Sequence, residues 1–279
     1  DYSDHNLTDL SELDYVKKYK NYLADIISIE LENPLKRQME VKKYLEEILE
    51  SLKWLGMNWD EIYYQSQRFD IYRQYAQKLL DKNAAYLEKK AIIFKMPQQI
   101  VKMQDLIHGE IQFDTSTIKD QVLIKSDGTP TYNFACVIDD GLMQISHVIR
   151  GDDHISNTPK QIVLYEALGF GLPAFAHVPL ILDKVGGRLS KRTGATAVSE
   201  YRRLGYLAEA LVNYLMLLGW SPGENQTIVS ADEAIKRFDI KDINKTAAIF
   251  DLDKLNWLNN QYLKKAKTEK IVDLIVPLL

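Results

Sequence analysis

Cysteine is almost missing from these 279 residues: Cys136 stands alone, which excludes an internal disulfide and a Cys-rich zinc site. A single thiol fits a reducing compartment, and a cytoplasmic location is expected. No run of about 18 apolar residues exists, so a spanning helix and a membrane partner are excluded. The longest apolar segment, 211–218, is interrupted by Asn213. Positive charge is not in excess either. The formal net charge of −4 argues against coating nucleic acid through bulk attraction, although a local basic patch can act within an acidic whole. The first residues, Asp1-Tyr2-Ser3-Asp4, hold no basic n-region and no apolar h-region, so no secretory signal is visible. They also lack an initiator Met, which points to a fragment. What is present, 46% hydrophobic and 27% charged residues, suits one large globular domain or two modest ones.

Periodicity then divides the chain. Leu45, Ile48, Leu49, Leu52 and Leu55 share one helical face that ends near Gly56, and Phe69, Tyr72, Tyr75, Ala76 and Leu79 make a second stripe closed by Lys82-Asn83. The runs 91–94 and 121–124 suit strands, and Ser126-Asp127-Gly128-Thr129-Pro130 reads as a turn. The segment 142–149 alternates like a strand and delivers Arg150-Gly151-Asp152-Asp153-His154 at its carboxyl end. Thr158-Pro159 opens a helix that runs to Leu168 and stops at Gly169, and 178–182 reads as a further strand. Strand–helix–strand alternation predicts an α/β layer with a mainly parallel sheet. Ligands in such sheets sit beyond the carboxyl ends of the strands, where Arg150 and the 183–195 loop would fall. After about Ser199 the pattern is helical: a stripe of Leu207, Leu211, Tyr214, Leu215 and Leu218, a capping box at Ser230 and Glu233, and a helix over 251–263. No internal repeat and no long linker separate the halves.

The loop Gly186-Gly187-Arg188-Leu189-Ser190-Lys191-Arg192-Thr193-Gly194 concentrates cations, a hydroxyl and glycines. Glycines let a backbone approach a ligand closely, and Lys191 between Arg188 and Arg192 can stabilise charge developing on a phosphate chain. Alone, such a loop is more often a solvated basic turn. Its company alters that balance. Residues 126–135 (SDGTPTYNFA), 147–159 (HVIRGDDHISNTP), 175–182 (FAHVPLIL), 189–195 (LSKRTGA), 217–222 (LLGWSP) and 250–259 (FDLDKLNWLN) resemble, in order and spacing, blocks of the glutamyl-tRNA synthetases.

That resemblance implies a class I synthetase, with a Rossmann-like catalytic domain over 1–198 and an all-α stem-contact domain over 199–279. It implies activation of glutamate by ATP, with Mg2+, to glutamyl-adenylate, and transfer to the 3′ end of a tRNA. By the same resemblance Lys191 would stabilise the pyrophosphate side of the transition state, with Ser190 and His5 also in the catalytic set. Arg188, Lys191, Arg192, Leu182 and His154 would bind ATP. Arg150, Tyr132 and Glu30 would bind glutamate, Arg150 because a guanidinium fork takes a carboxylate through two bonds. Without the resemblance, Arg150 would be read as a structural ion pair with Asp152 or Asp153, and Tyr132 as a core tyrosine. Cys136 is read as a small buried hydrophobe. No protein-bound metal site is expected.

The sequence departs from the family at three places. The H-x-G-H signature falls on His5-Asn6-Leu7-Thr8, where only the first His survives. The family's R-I-E-D-T-D strand is Ser28-Ile29-Glu30-Leu31-Glu32-Asn33, with Ser in place of Arg. Between Tyr86 and Ala91 the family inserts several tens of residues that this chain lacks, so the acceptor-binding insertion is expected to be shortened around 84–120. The anticodon-binding domain would follow Leu279. Three readings stay open: a glutamyl-tRNA synthetase with a shortened record, a catalytically weakened paralogue that binds tRNA or nucleotide, and a glutaminyl-tRNA synthetase or a glutamyl transferase without an anticodon domain.

Overall fold

A computed structural model describes residues 34–187, 189, 197–223 and 226–276. Contacts divide the chain into a first unit, Asp1–Asn58, and a second, Trp59–Leu279. In the first unit lies helix α1 (Pro34–Trp54), carrying Leu45, Ile48, Leu49 and Leu52 of the stripe read from the sequence, while Leu55 falls in the turn beyond it and Gly56 adopts φ +78°.

The second unit begins with α2 (Phe69–Asp81), whose buried Tyr72, Ala76 and Leu79 lie at the i, i+4, i+7 positions of one face. Two hairpins follow: β1 (Ala85–Glu88) with β2 (Ala91–Phe94), and β3 (Ile100–Asp105) with β4 (Gly109–Asp114). Then come β5 (Gln121–Ile124), α3 (Tyr132–Leu142), β6 (His147–Gly151), α4 (Thr158–Leu168) and β7 (Ala174–Val178). After β8 (Ile181–Leu182) the described chain is mostly helical: α5 (Val198–Arg203), α6 (Ala208–Gly219), α7 (Ala231–Arg237), the two-residue β9 (Ala248–Ile249), α8 (Leu252–Lys265) and α9 (Thr268–Ile275).

Three sheets result. The central one runs β4-β3-β7-β6; β3, β7 and β6 are mutually parallel, and β4 is added antiparallel through its hairpin. β1-β2-β5 is antiparallel throughout, and β8-β9 is a short parallel pair. The α/β fold class with parallel strands is therefore as expected, while the antiparallel hairpins were not foreseen.

Helices α3 and α4 pack together, and α4 also lies on β3. α4 buries five consecutive residues, Gln161 to Tyr165, because it has neighbours on more than one side. Pro159 starts it, where a missing N–H leaves no bond unmade. Gly169 ends it at φ +76°, a left-handed conformation that favours glycine. These faces meet Phe94, Val101, Met103, Leu123, Phe134 and Phe175 in one apolar core. Each such buried side chain contributes about 1.5–3 kcal/mol by leaving water.

Two expected strands are corrected. Residues 142–146 are not extended: the spacing of Phe134, Ala135, Val137 and Ile138 carries α3 on to Leu142, and Ile145 N–H closes a turn on Asp140 O at 2.9 Å. The strand expected over 178–182 is two strands in different sheets. Pro179, lacking an N–H, falls where the β7 ladder stops, and Ile181–Leu182 pairs instead with Ala248–Ile249. At Ser230 half of the capping box holds: its hydroxyl accepts from Glu233 N–H at 3.2 Å, while the Glu233 carboxylate serves Gln226 and Arg237.

Candidate functional site

Arg150 stands at the penultimate position of β6, directly across from His177 in the parallel register with β7. Its guanidinium donates through Nε to His177 Nε2 at 3.1 Å and through Nη2 to Thr158 Oγ1 at 2.8 Å. The guanidinium carbon also lies 5.7 Å from the centre of the Phe175 ring, a cation–π distance. The sequence alternative, an ion pair with Asp152 or Asp153, is not formed: no Arg150 ion pair is present among the described residues, and Asp152 Oδ1 instead lies 2.9 Å from His108 Nε2.

Behind Arg150 lies a group that no sequence signal assigned. His177 is wholly buried, and its Nδ1 is 2.7 Å from Asp105 Oδ2 at the end of β3. The same oxygen accepts the His177 backbone N–H at 3.1 Å, and Oδ1 accepts the N–H groups of Ile107 and His108, both at 2.9 Å. Burial works against the charge on Asp105, yet the bonds from His108, His177 and Ile107 outweigh it and hold this carboxyl below the ordinary carboxylate range. Burial and the Arg150 charge together lower the pKa of His177 more than Asp105 and Asp152 raise it. The ring is therefore neutral, its proton on Nδ1 and its Nε2 lone pair turned to Arg150.

Tyr132 opens α3 and is half exposed. Its hydroxyl is 3.5 Å from His154 Nδ1, and the two rings are 5.7 Å apart. Cys136, one turn along, is buried enough to push its thiol up to about 11, and Arg150 acts electrostatically on both Tyr132 and Cys136. A recess of about 360 Å³ beside Tyr132 is lined by Gln65, Phe69, Thr129, Pro130, Thr131 and Ala135. Arg150, Tyr132 and His154 are thus gathered at the carboxyl end of β6 and the amino end of α3.

Leu182 ends β8, where its carbonyl accepts Phe250 N–H at 2.8 Å. Asp183 follows at once. Its Oδ1 accepts from Val185 N–H at 3.0 Å and Gly187 N–H at 2.9 Å, and Leu189 N–H returns to Ile181 O at 3.1 Å. A Cβ at Gly187 would stand 3.1 Å from Asp183 Oδ2, so a side chain there would have to displace that carboxylate by a few tenths of an ångström. Lys184 reaches Asp253 at 2.9 Å and Asp251 at 3.6 Å, tying the loop to the start of α8. These are the approaches to the basic loop. Arg188, Ser190, Lys191 and Arg192 themselves lie outside the described residues, as do His5 and Glu30. Among the described residues no group of three or more His, Cys, Asp or Glu side chains is placed to hold a metal, and no helix is long and apolar enough to cross a membrane.

Sequence and structure comparisons agree on what this arrangement is similar to. A glutamate–tRNA ligase of Aquifex aeolicus (strain VF5) is 47% identical over 269 aligned residues, which cover 80% of this chain and 57% of the relative. A glutamate–tRNA ligase 2 of Caldicellulosiruptor saccharolyticus is 42% identical, covering 89% of this chain and 62% of that protein. The chain thus spans about three-fifths of the length of these relatives. Among solved structures, a glutamate tRNA ligase from Elizabethkingia meningosepticum CCUG26117 in complex with its amino acid superposes with a TM-score of 0.76 at 35% identity, over 84% of this chain and 62% of that one. The family described as tRNA synthetases class I (E and Q), catalytic domain, matches residues 26–92 and 87–257, and the chain belongs to that family.

Proposed function

We propose that this chain carries the amino-acid-activating core of a glutamate–tRNA ligase: it binds glutamate and ATP, joins them as glutamyl-adenylate with release of pyrophosphate, and passes the glutamyl group to the 3′ end of a tRNA. The observation that carries this is Arg150, a partly buried guanidinium held by a ring nitrogen and a hydroxyl rather than by an acid. A carboxylate ligand completes such a group. Tyr132 and His154 border the same place, Tyr132 on the amino acid and His154 with Leu182 on the nucleotide. Ser190, Lys191, Arg188 and Arg192 act on the phosphates, where Lys191 stabilises charge as the α–β phosphate bond breaks. Glu30 and His5, outside the described residues, keep the roles the family resemblance implies, Glu30 for the substrate amino group and His5 in the catalytic set. Magnesium would enter bound to the triphosphate, and the protein is assigned no metal ligand. The aqueous cytoplasm is the proposed location.

Residues 1–198 are proposed as the catalytic domain and 199–279 as the stem-contact domain, with a shortened acceptor-binding insertion around 84–120. Support for the shortening comes from alignment arithmetic. A match of 269 positions that covers 80% of a 279-residue chain must contain several tens of positions opposite gaps in this chain, and the two stretches matched by the family meet at residues 87–92.

A second reading, a weakened paralogue that binds without efficient activation, is favoured by one implication of the resemblance: Leu7 and Thr8 would fall where the family signature has Gly and His. ATP–pyrophosphate exchange with glutamate and tRNA present separates the two. Weak exchange is expected, abolished by Lys191→Ala and raised by Leu7→Gly with Thr8→His. Exchange that survives Lys191→Ala would remove the role given to the loop, and exchange supported by glutamine instead of glutamate would remove the role given to Arg150.

A further inference from the structure

A guanidinium has two two-pronged edges. The side edge is formed by Nε–H and one Nη2–H; the end-on edge is formed by the outward protons of Nη1 and Nη2. In Arg150 the side edge is filled, Nε on His177 and Nη2 on Thr158. Both acceptors are neutral, and among the described residues no carboxylate is in ion-pair contact with Arg150. Among the described residues no acid takes up the end-on edge, and Tyr132 interacts with the same guanidinium.

The contacts around His177 fix the tautomer that permits this. A buried Nε2 facing an Arg N–H must present a lone pair, so His177 carries its proton on Nδ1, and only an acceptor at Nδ1 can fix that tautomer. Asp105 is that acceptor, at 2.7 Å, itself locked by three backbone N–H groups from Ile107, His108 and His177. Thr158 Oγ1 accepts from Arg150 and stands 3.1 Å from both His154 O and His177 Nε2, and whichever of the two takes its proton, Nε2 remains an acceptor. Geometry makes the chain of contacts stiff: Asp105, His177 and Arg150 sit on β3, β7 and β6, three adjacent parallel strands.

We propose that Asp105 and His177 are positioning residues for substrate recognition, a buried carboxylate–imidazole pair that fixes the rotation of the Arg150 guanidinium and leaves its end-on fork, still charged, for the side-chain carboxylate of the amino acid. The pair therefore sets discrimination between a carboxylate and an uncharged amide side chain. It rests on the assignment of glutamate to Arg150 made above.

The test has two arms on the full chain. Two-bond 15N–1H correlation spectra of the wild-type protein at neutral pH report the His177 tautomer directly. A neutral ring with the proton on Nδ1 is expected; an imidazolium, or a proton on Nε2, overturns the proposal without reference to any substrate. Glutamate is then titrated into the wild type, His177→Asn and His177→Gln, with ATP titrated in parallel. Asn keeps a donor for Asp105 but does not reach Arg150, whereas Gln places an acceptor near the Nε2 position. Glutamate affinity is expected to fall at least tenfold in His177→Asn, to recover most of the way in His177→Gln, and to leave ATP affinity within threefold in both. Equal losses of glutamate and ATP affinity in His177→Asn, or no loss of either, overturn the proposal. Wild-type protein that binds ATP with no response to glutamate overturns the glutamate assignment itself, a result distinguishable from a wrong tautomer.

Discussion

Two arginines in this fold are held in opposite ways. Arg68, just before α2, donates through Nε to Asp139 at 2.8 Å, and the same carboxylate takes the Tyr72 hydroxyl at 2.7 Å and Gln65 Nε2 at 3.3 Å. Arg150 is given a ring nitrogen and a hydroxyl. In the first case cation and anion satisfy each other, and the product is a clamp between the 65–72 segment and α3. In the second the cation is oriented without being neutralised. Pairing type, more than burial, separates a structural arginine from one waiting for a ligand.

The contrast is broken or sharpened by exchanging what is lost. Arg150→Lys keeps a charge but removes the fork. It should weaken glutamate on the order of a hundredfold, about 3 kcal/mol, as read by the same titration, with a much smaller change in the urea midpoint. Asp139→Ala should do the reverse. It leaves the Arg68 side chain, 15% exposed, without its acid and the buried Tyr72 hydroxyl without an acceptor, lowering stability by about 2–4 kcal/mol in urea unfolding while glutamate affinity holds. If Asp139→Ala instead abolished glutamate binding in a folded protein, the two arginines would not be the separate cases drawn here.

Acid should reveal the smallest difference. The folded pKa of His177 lies below its ordinary 6.5, because burial and the Arg150 charge outweigh the opposing pull of Asp105 and Asp152. Below pH 6.5 the unfolded chain therefore binds the proton more readily, and stability falls with pH until the folded pKa is passed. Asp105, also depressed, removes further stability below its ordinary 3.8. Urea midpoints measured from pH 7.5 down to 5 should decline in the wild type and decline less in His177→Asn.

The sequence exposed Arg150 because the residue sits in a dense block, HVIRGDDH, and helix α4 because Pro159 and Gly169 mark both its ends. It did not expose Asp105, and the reason is distance: its partner lies 72 residues away, beyond any local periodicity. One signal was present. Val101, Met103 and Asp105 occupy the buried register of an alternating strand, and an acid in that register needs an internal partner. The two misplaced strand boundaries have local causes as well, an apolar helix face that outran a short alternation and a proline that divided a β-like run. Most of the basic loop was legible as a motif, yet the turn that anchors it was not, since Asp183 and Lys184 act through backbone N–H groups and through a helix about 70 residues downstream.

One consequence follows from the order β4-β3-β7-β6. The two polar side chains stacked behind the Arg150 guanidinium, Asp105 and His177, are 72 residues apart in the chain, and they meet only when β3 and β7 lie side by side. The proposed recognition of glutamate therefore depends on that pairing. With glutamate on Arg150 as proposed, mass action would stabilise the whole parallel layer rather than any single hairpin, so that protection of β3 amides from hydrogen exchange should rise with glutamate concentration although β3 lies two strands away from Arg150.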